Sequence, residues 1–263
     1  TAIENNMIHW FVMYEHFRKD WEALNLVDIC PCCLHPSLIV TAKKPVRTMA
    51  DIKGLTLMST SRPVIQLFSS VGAIVVPITN IEGFEALQKG IADGGVWNWE
   101  GPFLFGWIDA FKPGYYIDAG GVTRSLWTNG VMNLQSYNSL PKDLRETFEY
   151  LTWRWGSVYF SFQIDAIVAC FQKECEKRGI QYIVWSDEEK AKFNTYKVKL
   201  VDTCIEEMEK FYKLGARAAE LVKIYNEAAK KYVPPAPMPI QPQLALDEAT
   251  KAKWTADWNA VYG

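Results

Sequence analysis

Residues 41–94 read TAKKPVRTMADIKGLTLMSTSRPVIQLFSSVGAIVVPITNIEGFEALQKGIADG. Short apolar runs alternate here with helical patterns. The run LIVTAKKPV (38–46) reads as a strand that Pro45 ends, because proline has no N–H to give a ladder. Asp51 and Gly54 make a turn, and LTLM (55–58) is a second short strand. Ser59, Thr60 and Ser61 supply hydroxyls suited to the N-cap of a helix from about Pro63 to Val71. AIVVPI (73–78) is a third strand. Asn80 then caps IEGFEALQKGI (81–91), on which Phe84 and Leu87 share a helical face. Strand, helix, strand and helix at this spacing predict an α/β fold.

Beyond it, GIADGGVWNWEGPFLFGW (90–107) breaks the regularity. Gly94 and Gly95 read as a turn free to bend, delivering Trp97, Trp99 and Glu100. Glu100 also reads as a cap for a turn or helix beginning at Pro102. VTRSLWTNGVM (122–132) is a longer strand, and Pro141 opens a helical region reaching Gly179. IQYIVW (180–185) is a strand, and a helix resumes at Asp187 and continues past Gly215, which kinks or breaks it. VPPAPMPIQPQ (233–243) is an extended strap, because its prolines cannot be helical. A final helix around Ala249–Ala260 places Trp254 and Trp258 on one face. Residues 1–24 read as an amphipathic helix carrying Ile8, Phe11, Val12, Tyr14 and Trp21.

The composition excludes several classes. The 263 residues carry 28 basic and 30 acidic side chains, so no long-range field favours nucleic acid or an anionic membrane. No apolar run reaches the roughly 18 residues of a spanning helix. Eleven tryptophans are enough to furnish a core and leave some for a pocket. Cys30, Cys32, Cys33, Cys170, Cys175 and Cys204 fit disulfides in an exported chain or buried thiols. With His35, CPCCLHP (30–36) invites a metal, but its spacing is not a two-knuckle zinc pattern. His9 and His16 read as surface or packing residues. Nucleophile-elbow, P-loop and dinucleotide motifs are missing, which leaves no support for enzyme chemistry or a cofactor.

The order of Pro45, Asp51-x-Lys53-Gly54, Gly72-Ala73 and Ala86-Leu87-Gln88-x-Gly90-x-x-Asp93-Gly94 resembles the extracytoplasmic solute receptors of TRAP (tripartite ATP-independent periplasmic) transporters. VMNLQSYNSLPKDLRETFE (131–149) and GIQYIVWSDEEKAKF (179–193) extend the likeness, which spans about residues 20–230. The resemblance implies an α/β, two-lobed periplasmic-binding-protein-like fold with hinge strands, a long connecting helix and an interlobe ligand cleft. On that pattern residues 1–42 belong to the first lobe, and a family section before them is expected to be absent. Residues 43–130 form mainly the second lobe, with cleft and hinge segments. Residues 131–233 hold the hinge and bridging helices, and 234–263 the strap and C-terminal helix.

The same resemblance implies a monomeric, non-enzymatic, periplasmic receptor that delivers a small organic solute to TRAP membrane carrier subunits. A sensory module for a signalling partner and an enzyme on the receptor scaffold are the rival readings. Met58 falls where these receptors carry an arginine that clamps a ligand carboxylate; a thioether makes no such charge-assisted bond. Trp97 falls on the family's polar ligand contact. An aromatic or apolar pocket is therefore expected, with Met58, Ser61, Trp97, Trp99, Trp127 and Asn133 around the solute. Glu100 is expected to accept a ligand N–H or O–H, and Arg62 or Arg124 to take the missing arginine's place for an acid. Each also has a structural reading: Trp127 as core, Arg124 as a surface strand residue, Asn133 as a strand-end cap.

Overall fold

The alternation of apolar residues along LIVT decides how the sheet is packed. Successive strand side chains face opposite ways, so Ile39 enters one core and Leu38 and Val40 enter another. The computed structural model describes residues 14–33, 36–122, 127–154 and 160–231. Six strands form the main sheet: β2 (Leu38–Thr41), β3 (Thr56–Met58), β4 (Ile74–Val76), β5 (Gly94–Trp97), β6 (Tyr115–Asp118) and β8 (Gln181–Val184). Their order is β4-β3-β5-β2-β6-β8. Only β2 runs against the rest, pairing antiparallel with β5 and β6. The carboxyl ends of the other five strands therefore meet at one edge, beside the start of β2.

A separate two-stranded ribbon pairs β1 (Leu26–Cys33) with β7 (Trp127–Asn133) in antiparallel register. Helix α1 (Tyr14–Ala23) precedes it. Strand β1 was not legible in advance. Its LVDICPCC sequence includes Asp28 and Pro31, both poor strand residues, and pairing across the ribbon overrides them. Pro31 lies opposite Asn129, in a ribbon with an outer edge on which a missing N–H is tolerated.

Helices α2 (Arg62–Ser70) and α8 (Asp187–Tyr212) cover one sheet face, where Leu67, Phe68 and Phe193 pack on Ile39, Leu57 and Ile117. The other face packs against α3 (Asn80–Gln88), the 3-10 turn Trp107–Ala110 and α7 (Phe160–Lys177). Three further helices are α4 (Gly101–Leu104), α5 (Leu134–Ser139) and α6 (Lys142–Arg154). Helix α8 is 26 residues long, so it runs about 39 Å. It stops at Lys213, which has left-handed backbone, and α9 (Gly215–Lys231) follows. The break expected at Gly215 thus falls two residues earlier. Residues through Ala229 belong to one compact unit, and a second unit begins at Lys230. The strap and final helix expected after it lie outside the described residues.

Thr79, not Asn80, caps α3. Its N–H and hydroxyl donate to Glu82 Oε2 at 3.1 and 2.6 Å, and these bonds hold the Glu82 carboxyl below the usual range. The Met49 N–H donates to Glu189 Oε2 at 2.8 Å; that bond, then Lys192, lowers Glu189 likewise. Both folded values lie below the unfolded one. Their stabilisation is complete above the unfolded pKa of about 4.3 and is lost as pH falls through the lowered values. Melting temperature followed from about pH 6 to about pH 3 should drop. The joint variant Glu82→Gln, Glu189→Gln should show a shallower drop; an identical slope would remove these carboxylates from the acid response.

Among the described residues no helix is long and apolar enough to cross a membrane. No group of three or more His, Cys, Asp or Glu there could hold a metal. Cys170, Cys175 and Cys204 are free thiols. Cys30, Cys32 and Cys33 lie on β1.

Candidate functional site

Ligands of open α/β sheets bind outside the carboxyl ends of the strands, where the strand order switches. Here the switch is β2, inserted antiparallel between β5 and β6. A cavity of about 840 Å³ lies against that edge. Leu38, Trp99, Asp118 and Tyr182 line it from the sheet side, and Lys197 and Val198 from α8. Val222 and Asn226 of α9 reach it as well. A smaller cavity of about 180 Å³ sits beside it, bounded by Trp99, Tyr116, Cys175 and Tyr182 among others. Trp99 and Tyr182 are thus common walls of both.

The tryptophans owe their places to glycines, and for a reason other than turn flexibility. Gly94 and Gly95 are strand residues of β5, paired with Thr41 and Val40. A Cβ on Gly94 would lie 2.0 Å from the Val40 carbonyl oxygen, and one on Gly95 would meet the Trp107 ring at 3.0 Å. A Cβ on Gly101 would lie 1.5 Å from Trp97. The expected flexible turn is therefore replaced by close packing of rings on bare backbone. Asn98 Oδ1 accepts the Gly101 N–H at 3.2 Å, which turns the chain into α4.

Trp97 and Trp99, two residues apart, pack on the same sheet face. Trp99 is 7 % exposed. Its ring stacks on Tyr116 at 4.5 Å and 11°, and Tyr182 tilts against it at 5.2 Å. The Tyr116 hydroxyl donates to the Trp99 carbonyl at 3.3 Å. Burial, then Cys175 and Glu100, pushes Tyr116 well above its ordinary pKa. Trp97 is half-buried between Phe105 and Trp107, at 6.3 and 6.5 Å; it does not line the larger cavity.

Met58 belongs to the same cluster as Trp99 and is 1 % exposed. Strand alternation accounts for this: Leu57 enters the α2–α8 core, so Met58 enters the opposite one. Its thioether fills core rather than facing the cavity. Ser61 holds the N-cap position of α2 without a capping bond from its hydroxyl, and its N–H donates to Ser59 Oγ at 3.2 Å. Arg62 is paired with Glu207 at 2.9 Å and lies 5.9 Å from the Phe211 ring, so it ties α2 to α8. Glu100 is buried, and its carbonyl accepts the N–H groups of Phe103 and Leu104. Asn133 Oδ1 accepts the Ser136 N–H at 3.1 Å, the strand-end capping role. Trp127 opens β7 opposite Cys33, and Arg124 lies outside the described residues. Among the described members of the expected set, only Trp99 lines the larger cavity.

Three charged groups there, Asp118, Lys197 and Asp202, were not singled out from the sequence. Asp118 Oδ2 accepts the Tyr182 hydroxyl at 3.3 Å; burial, then Asp118, pushes Tyr182 up to about 12. Lys197 is drawn below the ordinary lysine value by burial, which Asp118 opposes. Its Nζ makes two bonds, to the carbonyls of Gly120 and Gly121, and so has a third donor to offer. Burial pushes the Cys175 thiol up to about 12, which leaves it protonated and a poor nucleophile.

Solved structures share the fold at low sequence identity. A TRAP periplasmic solute binding protein from Desulfovibrio salexigens DSM2638, in an open complex, is 22% identical with a TM-score of 0.74, over 92% of this chain and 72% of that one. A second protein from Desulfovibrio salexigens, with bound orotic acid, is 18% identical with a TM-score of 0.74, over 89% and 72%. One from Rhodoferax ferrireducens, with bound malonate, is 16% identical with a TM-score of 0.72, over 88% and 70%. Residues 37–208, well over half of this sequence, match the family described as bacterial extracellular solute-binding protein, family 7. The chain therefore belongs to that family, the solute receptors of TRAP transporters, and has its two-lobed α/β fold.

Proposed function

We propose that this receptor captures a small organic acid with a flat or apolar body in the cavity between Trp99, Tyr182 and Lys197, closes by a hinge motion, and hands the solute to a TRAP membrane carrier from the periplasm. One observation carries the reading: an aromatic wall and a single ammonium face the same cavity of about 840 Å³ at the sheet's carboxyl edge, which the carboxylates of Asp118, engaged with Gly120, Gly121 and Tyr182, and of Asp202 also line. Related structures hold malonate, orotic acid and glucuronate, which favours an acid. The rings of Trp99 and Tyr182 supply apolar area, and burying about 150 Å² of ligand there contributes roughly 4 kcal/mol before association costs. Lys197 supplies the cation that Met58 does not. The solute acts as a non-covalent guest, so no catalytic group is assigned.

Titration calorimetry with malonate and orotate tests this. Orotate should bind more tightly, by roughly 2- to 13-fold from the ring contact alone, since a ring against aromatic walls adds roughly 0.5–1.5 kcal/mol beyond its buried area. Lys197→Met should weaken both. Equal affinity for the two acids, or no loss in Lys197→Met, would reject the assignment.

A further inference from the structure

The chain leaves the ribbon for the six-stranded sheet between β1 and β2, and returns between β6 and β7. The passages are tied together, because the Val122 N–H donates to the Ser37 carbonyl at 2.9 Å. In the return passage Gly120 and Gly121 have φ of +81° and +68°. Other residues rarely adopt this region, and a Gly-Gly pair left to itself samples many conformations.

Charged side chains hold this pair from both sides. Asp118 Oδ1 accepts the Gly120 N–H at 2.8 Å and the Gly121 N–H at 3.3 Å. From the long helix α8, Lys197 Nζ donates to the Gly120 carbonyl at 3.2 Å and the Gly121 carbonyl at 3.0 Å. A carboxylate thus takes both N–H groups and an ammonium both carbonyls. The carboxylate is itself oriented by the Tyr182 hydroxyl, and the ammonium lies 5.8 Å from the Phe193 ring centroid.

We propose that Asp118 and Lys197 are positioning residues that latch the Gly120–Gly121 hinge to α8, setting the angle at which the chain passes between its two sheets. This rests on the reading of the two passages as the receptor's hinge. Bonds to ionised groups are roughly twice as strong as neutral ones, so the latch outweighs ordinary turn bonds. Asp118, Gly120, Gly121 and Lys197 all line the proposed solute cavity. A solute acceptor that engages Lys197 shares the ammonium with the hinge carbonyls, which couples occupancy to hinge geometry.

Hydrogen exchange by mass spectrometry on the solute-free full chain tests the latch. Lys197→Met should raise exchange at the amides of Gly120, Gly121 and Val122 by roughly tenfold, with the amides of β3 and β5 unchanged. Lys197→Arg, which keeps the donors, should retain most of the protection. Unchanged exchange in Lys197→Met would overturn the proposal, as would a rise shared equally by β3 and β5. No solute is involved, so this result is independent of the calorimetric one: either can fail while the other stands.

Discussion

Trp99→Ala is expected to cost about 3–5 kcal/mol of folding stability and at least about tenfold in affinity for orotate. The stability loss follows from position. The indole is almost wholly buried, stacks on Tyr116 and meets Tyr182, within a cluster that includes Leu38, Met58 and Trp107. Removing it joins the void to two existing cavities, so collapse around it is limited. The affinity loss follows from its role as a shared wall. Trp99→Phe separates the two effects, since it keeps a ring at the wall while losing part of the packing. Denaturant unfolding and calorimetry below the transition read them independently. Native-like stability in Trp99→Ala would contradict the packing, and unchanged orotate affinity would contradict the wall.

Met58→Arg is expected to destabilise the protein by about 3–5 kcal/mol, although the sequence resemblance leads an arginine to be expected there. Strand pairing fixes Met58 between Val76 and Gly95, with its side chain in the cluster that holds Trp99 and Trp107. A guanidinium placed there has to shed its water among apolar rings or push them apart. Met58→Leu conserves volume and polarity and should change stability by less than about 1.5 kcal/mol. An arginine variant that unfolds at the wild-type denaturant concentration and binds malonate more tightly would show that the position opens on the ligand after all.

These two residues also mark how far the sequence carries. Strands β3 and β4, the helices between and after them, β8 and the start of α8 were legible because each rests on local periodicity and caps. The Thr79–Glu82 box was present in the sequence as well, one residue ahead of the cap chosen. Strand β1 was not legible, since its Asp, Pro and three cysteines are accommodated by pairing with β7 about a hundred residues later. Gly94 and Gly95 read as a bend because glycine signals flexibility and close approach alike. Only the tertiary neighbours Val40 and Trp107 separate the two meanings.

Little of the candidate site was visible. Trp99 was found because a tryptophan after a strand end at a cleft is conspicuous, and Met58 because it replaces an expected charge. Burial then divided them: one stands at the cavity and the other fills the core. Lys197 carried no local signal, being one of several lysines on a long helix. Its two acceptors lie 76 and 77 positions earlier in the chain, a juxtaposition that no short window contains. Arg62, expected to supply a cation for an acid, does not line the cavity and is paired with Glu207.

A crystal structure of the protein grown with orotate tests the central claim most directly. The ring is expected against Trp99 and Tyr182, with the carboxylate within hydrogen-bonding distance of Lys197 Nζ. Density for the acid elsewhere, with Lys197 still bonded only to Gly120 and Gly121 and the Trp99 wall untouched, would contradict it.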